Sequence, residues 1–180
     1  MKLFIKMNRW ILISLVIIFP IIFQILLGPF PSSGNVIADL KSNTNLQTII
    51  AIYMFSFIVY LLWLYSIIIL FNANKSKLYL LVHTVILLIL IVGLPLSFIY
   101  FIYSFVTNTA SPITNLLPLI SASALISYLY FIFRSAQLLS VLPKISSKYS
   151  MLNILVLLYL FPLGILLLQE RIRNTYKSSS

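Results

Sequence analysis

Few side chains in this sequence could carry acid–base or metal chemistry: two acids, Asp39 and Glu170, and one histidine, His83. Paired-carboxylate catalysis needs two acids at one substrate, and Ser–His–acid catalysis needs a histidine beside a serine and an acid. Long apolar stretches separate these three residues along the chain. The sequence has no cysteine, which excludes thiolate nucleophiles and thiolate metal ligands. We therefore expect a protein that is not an enzyme and uses no cofactor or metal ion.

The elements that must position these residues are apolar to a degree that indicates a lipid bilayer. Of the 180 residues, 62% are hydrophobic and 8% are charged, whereas a soluble domain has roughly 25% charged residues. No Asp, Glu, Lys or Arg occurs from Leu78 to Phe133, although one membrane-spanning helix needs only about 20 apolar residues. We therefore predict a single integral membrane domain over residues 1–180.

Five apolar segments without charged residues follow one another along the chain. Backbone polar groups in lipid must bond within the segment, so segments of this length are predicted to be helices. The alternation of apolar and polar residues that is typical of a membrane β-barrel is absent. We predict an all-α protein with helices near residues 10–29, 47–71, 78–105 and 115–134 and a kink at Gly93–Pro95. The segments are Trp10–Leu27, Thr48–Phe71, Leu78–Phe105, Leu116–Phe133 and Met151–Leu168.

The distribution of Lys and Arg predicts the orientation of the chain, because cytoplasmic loops of membrane proteins are enriched in both. It favours a multi-pass protein of the inner (plasma) membrane with four transmembrane helices and a cytoplasmic N-terminus. The fifth segment contains Pro162 and Gly164, and we predict that it is re-entrant or interfacial. In that topology every Lys and Arg except Lys41 lies on the inner side. The alternative is five spans, which places the basic C-terminal tail outside.

The stretch from Arg134 to Tyr149 has apolar residues at helical spacing and basic residues on the other side. This pattern predicts an amphipathic extension of the fourth helix on the membrane surface, bent or broken at Pro143. The alternative is a solvated connecting loop. We expect the basic inner face to contact anionic lipid headgroups or a membrane protein partner, and we expect no nucleic acid. Its basic residues are Arg134, Lys144, Lys148, Arg171 and Arg173.

Several polar side chains lie inside the apolar segments, where each is costly in lipid. One interpretation is a path for a solute or a proton. The other is hydrogen bonding between helices, which contributes about 0.6 kcal/mol for each bond. The sequence favours hydrogen bonding, because no acidic residue occurs within a segment. The membrane-embedded polar candidates are Gln24, His83, Ser123, Ser127 and Asn153.

The C-terminal third contains three short motifs. Residues 136–141 are A-Q-L-L-S-V, residues 161–165 are F-P-L-G-I, and residues 168–174 are L-Q-E-R-I-R-N. This pattern resembles an uncharacterised family of small multi-span bacterial membrane proteins, whose C-termini carry A-x-x-L-x-S-V, F-P-I-G-I-W and L-Q-P-R-I-N. Leu166, Glu170 and Arg173 stand where that family has Trp, Pro and Asn. The resemblance implies a bacterial membrane protein and supplies no catalytic residue.

These features together predict a non-enzymatic integral membrane protein that serves as a membrane anchor or accessory subunit for a partner. The alternative is a small homo-oligomeric channel or transporter. A pore lined by Gln24, the serines of the fourth segment and Asn153 would distinguish that alternative from an anchor.

Overall fold

The structure is a computed structural model that describes residues 2–27, 44–72, 76–107, 117–160 and 162–179. These ranges are helical apart from short turns and contain no strand, so the predicted all-α class is confirmed for them. The elements are α1 Lys2–Lys6, α2 Arg9–Ile13, a π-helical turn Ser14–Ile18, α3 Phe19–Leu26, α4 Thr44–Leu70, α5 Lys77–Thr107, α6 Leu117–Ser140, α7 Pro143–Ser146, α8 Met151–Tyr159 and α9 Pro162–Ser179.

Three helical stretches are long and apolar enough to cross a membrane: Arg9–Leu26, Thr44–Leu70 and Leu119–Ser140. They coincide with the first, second and fourth predicted spans, and they indicate a membrane protein. The third predicted span is also helical, and its part Lys77–Gly93 is a shorter apolar stretch. That α5 crosses the membrane stays a prediction. The turn expected near residues 108–112 lies outside the described residues.

The N-terminal helices run antiparallel to α4. At one end of this pair, the Asn45 side-chain amide donates to the Leu27 carbonyl at 3.3 Å. Further along, the Ser56 hydroxyl donates to the Leu15 carbonyl at 3.1 Å. Because residue numbers rise in one helix as they fall in the other, the end of α4 lies near the start of the chain.

The helices α5 and α6 form a second antiparallel pair. Near the start of α5, His83 is hydrogen-bonded to Tyr130 in the later part of α6 at 2.8 Å. Further along α5, Gly93 is buried against α6, and a Cβ built there would lie 3.6 Å from the Ala124 Cβ. The continuous helix α5 passes through Pro95, so the expected kink does not break it. The angle of that kink stays a prediction.

The core consists of large apolar side chains from all parts of the described chain. Tyr60, Trp63 and Phe131 are fully buried, and aliphatic residues of α1, α2, α8 and α9 pack around them. Large apolar side chains are exposed on the outside of the bundle, and Ile25 and Leu125 are examples. A surface of this kind suits contact with acyl chains, because lipid is as apolar as these residues.

A π-helical turn precedes Pro20 in the first span, and it frees one backbone carbonyl. In this register the Phe19 amide donates to the carbonyl of Ser14, five residues back. The next amide in the same register would come from Pro20, which has none, and its acceptor would be Leu15. The buried Ser56 hydroxyl lies 3.1 Å from that Leu15 carbonyl across the helix pair and 2.9 Å from the Ile52 carbonyl of its own helix. Its one proton is shared between the two acceptors, so a side chain of α4 partly replaces the donor that proline lacks.

The fifth apolar segment bends, as the sequence predicts. The helix α8 ends at Tyr159, Leu160 follows it as a turn, and α9 begins at Pro162. Gly164 packs against α8 so closely that a Cβ would lie 2.8 Å from the Leu157 carbonyl oxygen. Whether the segment lies within the membrane or along its interface stays a prediction.

The stretch after Arg134 extends the fourth predicted span and breaks before Pro143, as predicted. The helix α6 continues to Ser140, and a separate short helix begins at Pro143, where the sequence predicts a break. Of the predicted apolar face, Leu138 and Ile145 are buried in the protein core, and Val141 is 72% exposed. The buried Leu138 and Ile145 therefore stabilise the bundle, and the location of this stretch on the membrane surface stays a prediction.

Candidate functional site: the basic end of the bundle

Side chains from three distant parts of the chain meet at one end of the bundle, which we call the basic end. The Arg9 guanidinium forms an ion pair with the Glu170 carboxylate at 2.8 Å. The Lys6 ammonium lies 6.0 Å from the centre of the Tyr176 ring. The N-terminal helices and the C-terminal half of α9 are therefore held side by side.

The loop before α8 belongs to the same end. The Tyr149 ring lies 5.4 Å from the Arg171 guanidinium and 5.8 Å from the Lys148 ammonium, both within the range of a cation–π contact. Tyr149 precedes α8 and Arg171 is in α9. Their contact therefore shows that the chain reverses direction after α8 and that α9 runs back toward the start of α8. The two helices thus form a hairpin whose open side is at the basic end.

A buried glutamine positions α9 against the N-terminus. The Gln169 side-chain amide donates to the carbonyls of Phe4, Ile5 and Met7 at 2.9, 3.1 and 2.9 Å. Its carbonyl oxygen accepts from the Trp63 indole N–H at 2.6 Å. These backbone carbonyls lie at the end of α1, where an intrahelical donor is lacking. One side chain therefore joins α1, α4 and α9 directly beside Glu170.

A cleft with a volume of about 360 Å³ opens at the basic end. Arg9, Lys148 and Arg171 bring three positive charges to its lining, and Glu170 brings one negative charge. Tyr149, Leu166, Leu167 and Asn174 complete the lining. The formal charge of this lining is positive, so the cleft favours an anion.

The predicted basic residues are divided between this cleft and its surroundings. Lys148 and Arg171 line the cleft, whereas Arg173 does not, although it is on the same helix. Arg134 lies away from it, and its guanidinium hydrogen-bonds to Gln137 and to the Tyr79 hydroxyl. The side chain of Lys144 lies outside the described residues.

His83, an expected membrane-embedded polar residue, bridges α5 and α6. Its Nδ1 faces the Tyr79 carbonyl at 2.8 Å, so Nδ1 carries the proton in the neutral ring. Nε2 then accepts from the Tyr130 hydroxyl at 2.8 Å. The contact of Arg134 with the Tyr79 hydroxyl continues this cluster toward the end of α6. The arrangement joins two helices and lies near one end of both.

The other expected polar residues are not brought together. Gln24 in α3 accepts a hydrogen bond from the Tyr53 hydroxyl of α4 at 2.6 Å. Ser123 in α6 donates within its own helix to the Ile120 carbonyl at 2.8 Å. Ser127 is on the same helix as Ser123, and Asn153 is exposed in the first turn of α8. The hydrogen bonds of Gln24 and Ser123 therefore do not join these residues to one another.

Four residues with structural roles, Gln169, Trp63, Ser56 and Arg9, are not predicted as site residues by the sequence. A polar amide directly after the apolar run 151–168 is a signal that could have pointed to Gln169. Its partners are separated from it by more than a hundred residues, so spacing in the sequence does not reveal them. Arg9 was counted only toward membrane orientation, and its ion pair with Glu170 depends on the same long-range packing.

Within the described residues, no group of three or more His, Asp or Glu side chains is arranged to hold a metal ion. Comparison with known protein families, curated proteins and solved structures finds no match to this chain.

Proposed function

We propose that this protein is a non-enzymatic integral protein of a bacterial inner membrane that anchors or assists a partner protein. The observation that supports this proposal is the collection of basic side chains from the N-terminus, the loop before α8 and α9 at one end of the bundle. In the proposed orientation this basic end and the N-terminus lie in the cytoplasm, where anionic headgroups and acidic protein surfaces are both available.

The hydrogen bonding inside the bundle also favours an anchor over a channel. Gln24 and His83 are engaged with tyrosines of neighbouring helices, and Gln169 is engaged with the end of α1. Polar groups engaged in this way stabilise helix packing and leave less polar surface for a conduction path. The second candidate function is a homo-oligomeric channel. In that case several copies of the chain would have to line the conduction path together.

Site-specific photocrosslinking in intact membranes tests the proposal. A photoreactive amino acid replaces Asn174, which is exposed at the basic end, or Leu125, which is exposed on the apolar surface of α6. We expect a discrete protein adduct from position 174, and from position 125 we expect lipid adducts with no protein adduct. Salt should weaken the protein adduct, because association between charged surfaces is screened.

Charge reversal provides the specificity control for this experiment. Lys6→Glu and Lys177→Glu change exposed basic residues near that end and outside the cleft. We expect both to reduce the adduct, with no change in the amount of protein in the membrane. Equal adducts from positions 174 and 125 would contradict an anchor. Ion conductance of reconstituted liposomes would instead support the channel.

A further inference from the structure

The cleft at the basic end combines a cationic rim with apolar walls. Lys148, Arg171 and the Arg9–Glu170 ion pair belong to its lining. Leu166 and Leu167 form the apolar part. We propose that this cleft is a specific binding site for the phosphate of one anionic phospholipid molecule.

Charge is the first argument for this ligand. The single carboxylate in the lining, Glu170, is already paired with Arg9 at 2.8 Å. With Arg9, Lys148 and Arg171 against this one carboxylate, the lining has a net positive formal charge, and Asn174 adds an amide. An Arg guanidinium offers several N–H donors in a planar fork that matches phosphate oxygens, and a Lys ammonium adds a compact charge. A phosphate group is therefore complementary to the lining in both charge and donor type.

The apolar side of the cleft is the argument for a lipid rather than a soluble anion. Leu167 is 40% exposed although it lines the cleft. One helical turn earlier on α9, Leu163 is 43% exposed, so an apolar strip leads away from the cleft along the helix. Acyl chains can lie on such a strip while the phosphate stays among the cations.

The position of Trp10 beside the cleft is the argument for a site at the depth of the lipid headgroups. Trp10 is 56% exposed next to Arg9, whose guanidinium lies 5.3 Å from the indole ring. Tryptophan side chains on the surface of membrane proteins are enriched at the level of the headgroups. A cleft lined by Arg9 thus lies where the phosphates of a bilayer lie.

This inference goes beyond the proposed anchoring function and does not depend on it. A lipid site can exist without a protein partner, and a partner can bind through residues outside the cleft, such as Lys177. Because Asn174 lines the cleft, the two proposals are separated by the kind of adduct at position 174: loss of the lipid site removes a lipid adduct there, and loss of the partner removes the protein adduct.

Native mass spectrometry of the full-length protein in detergent tests the site. The purified protein is titrated with an equimolar mixture of phosphatidylglycerol and phosphatidylcholine that have the same acyl chains. We expect one phosphatidylglycerol to bind before any phosphatidylcholine. Lys148→Gln should weaken this first binding about five-fold, and adding Arg171→Gln should weaken it about 25-fold, from the usual contribution of a basic residue at an anionic membrane surface.

Three further variants separate a site from a diffuse charge effect. Lys77→Gln removes an equal charge from an exposed residue outside the cleft and should change the affinity less than two-fold. Glu170→Gln removes the negative charge and should tighten binding about five-fold. Arg171→Lys keeps the charge but loses the planar fork, so it should weaken binding less than Arg171→Gln does; equal weakening by the two would point to misfolding rather than to lost charge.

Other results overturn the proposal. Equal weakening by Lys77→Gln and Lys148→Gln would show that only overall charge matters. Weaker binding of phosphatidylglycerol to Glu170→Gln would show that Glu170 acts through structure alone. Displacement of the lipid by millimolar glycerol 3-phosphate, with equal thermal stabilisation of the lipid-free protein, would identify a soluble phosphate as the ligand and refute the lipid.

Discussion

At the scale of single residues, Gln169 contributes most to the arrangement of the basic end. A neutral amide can donate and accept at once, and it avoids the larger cost of burying a charge. Two amide hydrogens are shared among three carbonyls of α1 and the following turn, while the oxygen accepts from Trp63. Lys or Glu at this position would leave either the indole N–H or the carbonyls without a partner.

Replacing Gln169 by Leu should therefore lower the free energy of unfolding by about 3 kcal/mol, because buried carbonyls and an indole N–H lose their partner. Thermal unfolding in detergent, followed by circular dichroism, measures the change. Gln137→Leu is the matched control, because Gln137 is exposed. Gln169→Leu should lower the free energy of unfolding clearly more than Gln137→Leu does. Equal losses of unfolding free energy would contradict a special role for Gln169.

Residue-level prediction from the sequence identifies polar residue types within the apolar segments but not their partners. Gln24 and His83 were favoured as interhelical hydrogen-bonding residues, and both are bonded to tyrosines of adjacent helices. The sequence could not identify those tyrosines, because aromatic residues are abundant in every span. The pairing of Gln169 with α1 joins the two ends of the chain, and no local pattern indicates such a contact.

At the scale of elements, helix positions follow from the hydrophobic pattern alone. The predicted helices near residues 47–71 and 78–105 correspond to Thr44–Leu70 and Lys77–Thr107. Charge-free length determines these bounds, since helical backbone bonding is required throughout lipid. The π-helical turn was not predicted, because it depends on a donor from another helix. Ser56 supplies that donor, and periodicity in one segment cannot reveal it.

The pairing of Ser56 with the turn before Pro20 can be tested by a double-mutant cycle. Ser56→Ala should cost about 1 kcal/mol of unfolding free energy, because it leaves the Leu15 carbonyl without its donor. With Pro20→Ala present, a backbone N–H becomes available in the same turn, and the cost of Ser56→Ala should fall. Unfolding in mixed micelles measures all four proteins. Strictly additive effects would show that the two residues act independently.

The two buried glycines should respond in opposite directions to alanine. Gly164→Ala places a Cβ 2.8 Å from the Leu157 carbonyl oxygen, so the α8–α9 hairpin must shift. We expect a loss of about 1–3 kcal/mol. Gly93→Ala meets Ala124 at an ordinary 3.6 Å, and a gain of about 0.5–1 kcal/mol is expected from helix propensity. Thermal unfolding of both variants decides this, and equal destabilisation would refute the close packing at Gly164.

At the scale of the whole molecule, contacts between distant segments bring the two ends of the described chain together. The ion pair of Arg9 with Glu170 and the contact of Lys6 with Tyr176 hold α9 beside the N-terminal helices. The helix α8, which precedes α9 in the chain, has 9 residues, which is about 14 Å at 1.5 Å per residue. That length is less than half of a hydrocarbon core of about 30 Å.

A reporter that fluoresces only in the cytoplasm, attached after Ser180, should therefore be bright in the proposed topology, which puts both ends of the chain in the cytoplasm. A matched fusion after Lys41, which the sequence places outside, should be dark and should show activity with a periplasmic reporter instead. The division of charge favours this result, since only Lys41 then lies outside. A dark fusion after Ser180 with a periplasm-active counterpart would mean that residues 151–168 cross the bilayer. The Arg9–Glu170 ion pair could not form in that topology, because its partners would lie on opposite sides of the membrane.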